Sequence, residues 1–155
     1  MNDALDSLYR EVVLDHYKNP RGKKKLDHVD FKNEGKNPMC GDEIEVELEV
    51  DGDRVKDISV SCAGCAISVA SGSMLYEVIK GKSLPEVKKI AQIVKSMLKG
   101  EEYSTDGIDL GDLDVLEGVR KFPVRIKCAL LSWTTLIDAL DRMEKSRTLS
   151  ISETE

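Results

Sequence analysis

Residues 43–62 read EIEVELEVDGDRVKDISVSC, and this stretch decides the fold. Its first half alternates strictly, with an apolar side chain at every even position and glutamate between them, which is the two-residue period of a half-buried strand. After the turn formers of residues 51–53, a second run places Ile58, Val60 and Cys62 on one face. The two runs therefore predict an antiparallel hairpin with one buried face.

The register of this hairpin follows from the requirement that both apolar faces coincide. Even positions must pair with even positions, as in 48 with 58 or 48 with 56, because a slip of one residue would turn a whole strand over. This parity predicts a loop with an odd number of residues rather than a two-residue turn on Asp51 and Gly52. The start of the first strand and the end of the second then lie at the same end of the sheet.

Helical patterns surround the hairpin. Apolar side chains at three- and four-residue spacing predict helices over residues 4–18, 66–80, 83–100, 112–121 and 123–145. The segment 21–39 lacks a sustained period and is predicted to be mostly loop, with a short edge strand near 29–32. From the chain length we expect one domain over residues 1–145, followed by a polar, disordered tail over residues 146–155.

Composition excludes some classes of function. The chain of 155 residues has 23 Lys and Arg against 29 Asp and Glu, a net charge of -6, which argues against a nucleic-acid partner. Its first residues carry scattered charges and lack an apolar segment of the length of a signal peptide or a membrane span, so we expect a cytoplasmic protein without a membrane partner. In a reducing cytosol, four cysteines indicate metal ligands, reactive thiols or core residues rather than disulfides.

Cys40 and Asp42 flank Gly41 immediately before the hairpin. In an extended chain, residues two apart point the same way, so the sulfur and the carboxylate can converge on one point. A thiolate and a carboxylate are half of a tetrahedral metal site. Taken alone, however, the tetrapeptide MCGD is more often a loop cysteine beside a solvated aspartate.

The segment SVSCAGCAIS at 59–68 contains two cysteines at CxxC spacing. Cys65 opens the predicted helix at 66, where unpaired backbone N–H groups and the helix dipole favour a thiolate. Cys62 is in phase with Ile58 and Val60, which indicates a core position for a small apolar residue. The alternatives for Cys62 are a spare thiol or a transient disulfide with Cys65.

Cys128 points away from the main apolar stripe of the last helix and suits either a second packing face or a site. Because the two strand ends lie at the same end of the sheet, Cys40, Asp42 and Cys65 are expected to be neighbours. Together with Cys128 they would offer three thiolates and a carboxylate, a set that can bind zinc or part of an iron–sulfur cluster. The spacing alone does not choose between these metals.

Four segments of the chain resemble the U-type iron–sulfur scaffold family, which includes IscU, SufU and the N-terminal domain of NifU. These are LYREVVLDHYKNPRG at 8–22, NPMCGDEIEVELEV at 37–50, GCAISVASGSML at 64–75 and RKFPVRIKCALLSW at 120–133. The resemblance implies an α+β fold in which a small antiparallel β-sheet packs against several helices. It also implies that Cys40, Asp42, Cys65 and Cys128 form the ligand set, with no part for Cys62.

Proteins of this family accept persulfide sulfur from a pyridoxal-phosphate cysteine desulfurase. They then either assemble a [2Fe–2S] cluster for apo iron–sulfur proteins or relay the sulfur. The resemblance therefore implies an iron–sulfur cluster assembly scaffold as the leading function and a zinc-dependent sulfurtransferase as the alternative, with a purely structural zinc domain as a third interpretation. Cys40 is the expected sulfur acceptor in the SufU interpretation, and Cys128 is the acceptor by analogy with IscU. Arg125 and Lys127 are expected either to steer an anionic persulfide or contact the desulfurase, or to be ordinary surface cations.

Two departures from IscU indicate the SufU branch, whose members commonly hold zinc with the same four ligands. IscU proteins have a histidine immediately before the last cysteine, whereas Lys127 precedes Cys128 here. The segment 82–120 also looks longer than in IscU and contains an additional helix. The histidines of this chain, His16 and His28, are expected to be structural or exposed rather than ligands.

Overall fold

The sheet has three antiparallel strands in the order β1–β2–β3, formed by Phe31–Asn37, Asp42–Asp51 and Arg54–Ala63. The computed structural model describes residues 3–154 of the chain, and the side chains of residues 7–146. In the central strand β2, Ile44, Val46 and Leu48 are buried, while the glutamates between them are partly or fully exposed. This sheet, packed against several helices, confirms the predicted α+β fold.

Helices cover one face of the sheet and extend beyond it. They are α1 Asp3–Lys18, α2 Ala66–Ile79, α3 Leu84–Lys99, a 3₁₀ helix Gly111–Lys121 and α4 Pro123–Thr154. Helices α2 and α4 pack on the strands and on each other, where the buried indole of Trp133 donates a hydrogen bond to Ser71 Oγ at 3.1 Å. Ser83 caps α3 by accepting the Glu86 N–H. Within the described residues, none of the helices combines the length and apolar character needed to cross a membrane.

The β2–β3 hairpin has the predicted pairing but a different loop. Leu48 pairs with Ile58, so the two apolar faces coincide. The loop contains two residues, because Asp51 pairs with Arg54. After Glu49 the register shifts by one residue, at a β-bulge that leaves an extra residue in β3. The prediction of an odd-length loop is therefore wrong. The extra residue in β3 keeps even positions paired with even positions, which the loop length was expected to do.

Strand β1 is longer than the predicted edge strand and runs through a segment predicted as loop. Asn33 and Asn37 are buried on its inner face, with the half-buried Gly35 between them. The amide of Asn33 donates to the Thr135 carbonyl in α4 at 3.0 Å. The two-residue period of a strand is thus present, but its buried positions hold polar residues whose partners lie on α4. A search for alternating apolar residues therefore does not find this strand.

Helix α4 runs past its predicted end near Lys145 and includes residues up to Thr154. The predicted helix end is therefore wrong. No glycine or proline follows Pro123 in the sequence, so the usual stop signals of a helix are missing. The side chains of residues 147–155, most of the predicted disordered tail, lie outside the described residues, and the single domain over residues 1–145 stays a prediction.

Candidate metal centre

Cys40, Asp42, Cys65 and Cys128 lie together at one end of the sheet. Cys40 is in the turn between β1 and β2, Asp42 begins β2, Cys65 caps α2, and Cys128 is in the second turn of α4. The sulfurs of Cys40 and Cys128 are 3.1 Å apart, and the Cys65 sulfur lies 3.8 Å from Oδ2 of Asp42. One donor atom each from Cys40, Asp42 and Cys128 falls within 4.8 Å of the others. The fold therefore brings together all four residues that the sequence analysis selected.

Asp42 and Cys128 are the most buried residues of this cluster. Asp42 is 1% exposed, and its Oδ1 accepts the backbone N–H of Cys65 at 2.8 Å. Cys65 has the extended backbone of an N-cap but makes no side-chain cap hydrogen bond, so its thiol is available to the cluster. The carboxylate of Asp42 thus links the start of β2 to the start of α2.

Gly64 makes the contact between Asp42 and Cys65 possible, which the sequence analysis did not foresee. Its φ is +155°, and a Cβ at this position would lie 2.9 Å from the Cα of Asp42 and overlap the carboxylate. A larger residue would therefore push Asp42 away from the cluster. The only sequence signal for this role is that the glycine immediately precedes a candidate ligand.

Cys128 is fully buried, and its surroundings favour the protonated thiol. Burial raises the pKa of Cys128, and its hydrogen bonds with Cys40, Asp42 and Cys65 raise that pKa further. In the metal-free protein this thiol is therefore protonated at neutral pH. A metal bound at the cluster would have to displace that proton, because the thiolate is the form that ligates.

The donor set fits a borderline or soft metal ion. Three sulfurs and one carboxylate oxygen are ligand types of zinc, and cysteine sulfur is the usual ligand of iron–sulfur clusters. Asp42 and Cys128 are buried, whereas Cys40 and Cys65 are partly exposed. The site is thus enclosed on its inner side and accessible on its outer side, an arrangement that can hold a metal and still admit a sulfur compound.

Arg125 places a positive charge at the outer side of the cluster. It is exposed one turn before Cys128, and a hydrogen bond with the Cys128 sulfur raises the pKa of its guanidinium. Lys127 is also exposed, but among the residues that the structure describes it forms no hydrogen bond or ion pair with the cluster. The two cations considered in the sequence analysis therefore differ in their access to the thiols.

Cys62 lies at the margin of the core rather than inside it. Its sulfur is 3.2 Å from Oγ of Ser68, and its partly buried side chain packs against the core. Burial raises the pKa of the Cys62 thiol. Its surroundings therefore differ from those of Cys65, although the two residues are three positions apart.

The two histidines lie in different environments. His28 is exposed and hydrogen-bonds to Asp30 at 2.8 Å. His16 is fully buried, with Nδ1 2.7 Å from Ser73 Oγ and Nε2 2.8 Å from Asp112 Oδ2. With a Glu77 oxygen 3.4 Å from Nε2, this group could itself hold a metal ion, a possibility that the sequence analysis missed. Asp112 is 96 residues away along the chain, so no local pattern reveals the group.

Comparison with known proteins places this geometry in a family. Residues 8–129 match the NifU-like N-terminal domain. The zinc-dependent sulfurtransferase SufU of Bacillus subtilis (strain 168) is 49% identical over 138 residues, which cover 87% of this chain and 90% of that protein. The iron–sulfur cluster assembly scaffold protein IscU of Streptococcus pyogenes serotype M1 is 39% identical over 146 residues, covering 94% of this chain and 91% of that protein.

A solved structure gives the same result. The crystal structure of FiSufU from Fervidobacterium islandicum AW-1, assigned as an iron–sulfur cluster assembly scaffold protein for the SUF system, superposes with a TM-score of 0.79. It is 34% identical and covers 86% of this chain and 97% of that chain. The family match over residues 8–129 includes the three strands and all four residues of the cluster. The chain belongs to the family of NifU-like N-terminal domains, the U-type iron–sulfur scaffold proteins, and within it to the SufU branch.

Proposed function

We propose that this protein accepts persulfide sulfur from a cysteine desulfurase and passes it on for iron–sulfur cluster assembly. The observation that carries the proposal is the convergence of three thiols and a buried carboxylate at one accessible end of the sheet. In this proposal, Cys40, Asp42, Cys65 and Cys128 are the metal ligands. The desulfurase and apo iron–sulfur proteins or later assembly factors are the partners, and the cytoplasm is the compartment.

The sulfur-accepting step is a thiol exchange. A thiolate of this protein attacks the outer sulfur of the persulfide on the desulfurase, and a new S–S bond forms as the S–S bond of the donor breaks. The desulfurase cysteine leaves as a thiolate, and the transferred sulfur keeps its oxidation state. No external oxidant or reductant is needed for this step.

Cys40 is the proposed sulfur acceptor. It lies in a turn and is partly exposed, whereas the alternative acceptor, Cys128, is fully buried. After a single turnover with the desulfurase, the persulfide is trapped with an alkylating reagent and mapped by mass spectrometry. A label confined to Cys40 supports the assignment, and a label on Cys128 transfers the role to that residue.

Zinc held by these four residues would keep the cysteines as thiolates at neutral pH. Asp42 is a harder ligand than the three sulfurs and is therefore expected to make one corner of the site exchangeable.

The exposed guanidinium of Arg125 is expected to attract the anionic persulfide, because opposite charges raise the rate of encounter. Arg125→Ala should slow sulfur acceptance most strongly at low salt, while Lys127→Ala, the control for a cation without a contact to the cluster, should change it little.

The exchangeable corner leads to a prediction for Asp42→Ala. This variant should alter the rate at which the metal leaves and the rate of cluster or sulfur transfer, because it removes the hardest ligand. It also leaves the backbone N–H of Cys65 without its acceptor, which costs roughly 1–3 kcal/mol of stability. Metal release is followed with a chromophoric chelator. An unchanged release rate in a folded variant would disprove the exchangeable-ligand role.

Two forms of the function differ in what the site holds. A scaffold builds a [2Fe–2S] cluster on these residues as cargo, whereas a sulfurtransferase keeps zinc and relays only the sulfur. The second form is favoured by the 49% identity with a protein named as a zinc-dependent sulfurtransferase, compared with 39% for a protein named as a scaffold.

One experiment separates the two forms. The protein is purified without air, and zinc, iron and acid-labile sulfide are measured before and after addition of desulfurase, cysteine and ferrous iron. Stoichiometric zinc that persists without a cluster rejects the scaffold, and acquired iron and sulfide reject the sulfurtransferase. Failure to accept any sulfur, with Cys40, Cys65 and Cys128 alkylated slowly until a chelator is added, would leave only a structural zinc domain and refute the proposal.

A further inference from the structure

Asn37 lies at the inner edge of the cluster, where β1 ends. It is the last residue of the strand, pairs with Asp42 across the sheet and is 8% exposed. A buried amide requires partners for its N–H groups. The Nδ2 of Asn37 donates to the sulfur of Cys128, at 3.7 Å. A neutral side chain thus contacts a candidate metal ligand from the protein interior.

The backbone of Asn37 holds a second candidate ligand. Its carbonyl accepts the N–H of Cys40 at 3.2 Å and closes the turn that carries the Cys40 side chain. Cys40 and Cys128 are 88 positions apart in the sequence, yet their sulfurs are 3.1 Å apart. One residue therefore fixes the turn that carries one sulfur through its main chain and contacts the other sulfur through its side chain.

The amide of Asn37 acts on Cys128 differently from Arg125. The guanidinium of Arg125 is exposed, so water and salt screen its charge. The amide is buried at a strand end, where water and salt screen its dipole weakly. Its N–H···S hydrogen bond restricts the direction of the sulfur and withdraws electron density from it, and both effects tune a metal ligand.

We propose that Asn37 is a positioning residue of the metal centre. It orients the sulfur of Cys128 toward the Cys40 turn and limits the electron density that this sulfur donates to a bound metal. The inference rests on the proposed function in taking Cys40 and Cys128 as ligands, but it does not depend on sulfur transfer. Its consequence is measurable on the metal-loaded protein alone.

Asn33 offers a matched control. It lies on the same face of the same strand and is 7% exposed, but its amide donates to the Thr135 carbonyl instead of a sulfur. Asn37→Ser and Asn33→Ser are each loaded with cobalt(II), without desulfurase, and studied by absorption spectroscopy and chelator competition. Asn37→Ser should move the sulfur-to-cobalt charge-transfer band to lower energy, because the sulfur becomes more electron-rich. Metal affinity should nevertheless weaken by about 10- to 100-fold, because the loss of a fixed sulfur direction outweighs the gain in electron density, whereas Asn33→Ser should keep both wild-type values.

A folded Asn37→Ser variant with the wild-type band and affinity overturns the proposal, as do equal changes in Asn33→Ser. Thermal unfolding checks that each variant is folded. If Asn37→Ser does not fold, Asn37→Asp is used, because it has nearly the same shape and replaces the donor N–H by an oxygen. Wild-type protein that binds cobalt but accepts no sulfur from a desulfurase would refute the proposed function and leave this inference standing.

Discussion

Cys62 and Cys65 show how strongly the surroundings of a thiol decide its chemistry. Cys65 begins a helix beside the carboxylate of Asp42, at the accessible side of the cluster. Cys62 contacts the hydroxyl of Ser68 at the margin of the core. Their CxxC spacing suggests a pair, but they belong to two different secondary-structure elements, β3 and the cap of α2.

Substitution of the two cysteines should therefore have opposite results. Cys65→Ala is expected to abolish stoichiometric metal binding and sulfur acceptance, because it removes one of four donors. Cys62→Ala is expected to keep both, because its sulfur lies outside the cluster. Metal analysis and mass measurement of the persulfide check both variants. The reverse pattern would mean that the CxxC pair is the functional unit.

The raised pKa of Cys62 also gives a pH dependence. Burial keeps this thiol protonated to higher pH than a free thiol, whose pKa is about 8.5, and only the thiolate is alkylated rapidly. Its reaction with iodoacetamide should therefore be slow near neutral pH and still rise with pH above about 9, in contrast to the same residue in urea. Peptide mapping follows the rate, and a plateau near the free-thiol pKa would contradict the prediction.

At the residue scale, the candidate ligands could be selected from sequence and the residues that support them could not. Cys40, Asp42 and Cys65 lie at strand and helix ends, which local patterns reveal. The side chain of Asn37 and the Cα of Gly64 act through contacts with residues distant in the sequence, such as the hydrogen bond from Asn37 to a sulfur 91 positions away. No local period or composition encodes such a contact.

At the scale of elements, the connection between β3 and α2 controls the geometry of the cluster. Gly64→Ala should displace the Asp42 carboxylate, weaken metal binding and lower the free energy of unfolding by about 1–3 kcal/mol. Gly52→Ala is the control, because Gly52 also has a positive φ but open space around it, so only a backbone cost of about 1 kcal/mol is expected. Denaturant unfolding and metal titration compare the two. Equal metal affinity in both variants would contradict the role of Gly64.

Elements with a regular apolar pattern could be predicted, and those with polar or irregular inner faces could not. The alternation in β2 and β3 limited the partner of Leu48 to an even position, 56 or 58, and the structure has Ile58. The bulge after Glu49 could not be predicted from the pattern. One extra residue in a strand and one extra residue in the loop have the same effect on whether even positions pair with even positions. Strand β1 escaped because its inner face is made of asparagine and glycine, whose partners lie on α4.

At the scale of the whole molecule, the segment 82–120 is tied to the rest of the fold through His16. Asp112 in the 3₁₀ helix contacts Nε2 of this buried side chain, which belongs to α1, while Ser73 of α2 contacts its other nitrogen. Asp112→Ala should lower the free energy of unfolding by roughly 1–2 kcal/mol, since it removes a hydrogen-bond partner of a buried group. Asp114→Ala, an exposed change in the same helix, should stay within about 0.5 kcal/mol of wild type. Urea unfolding compares the two variants. Equal stabilities would mean that the contact between Asp112 and His16 does not stabilise the fold.

The four donors of the metal centre come from a turn, a strand, a helix start and a second helix, so only the folded chain presents them together. A metal bound there adds to the stability of the native state by mass action, by about 2.7 kcal/mol at a free concentration one hundred times the dissociation constant. Loaded and empty molecules would then unfold to different extents under the same conditions. A protease that cuts only opened chains would remove empty molecules first, so the lifetime of the protein would report its metal load.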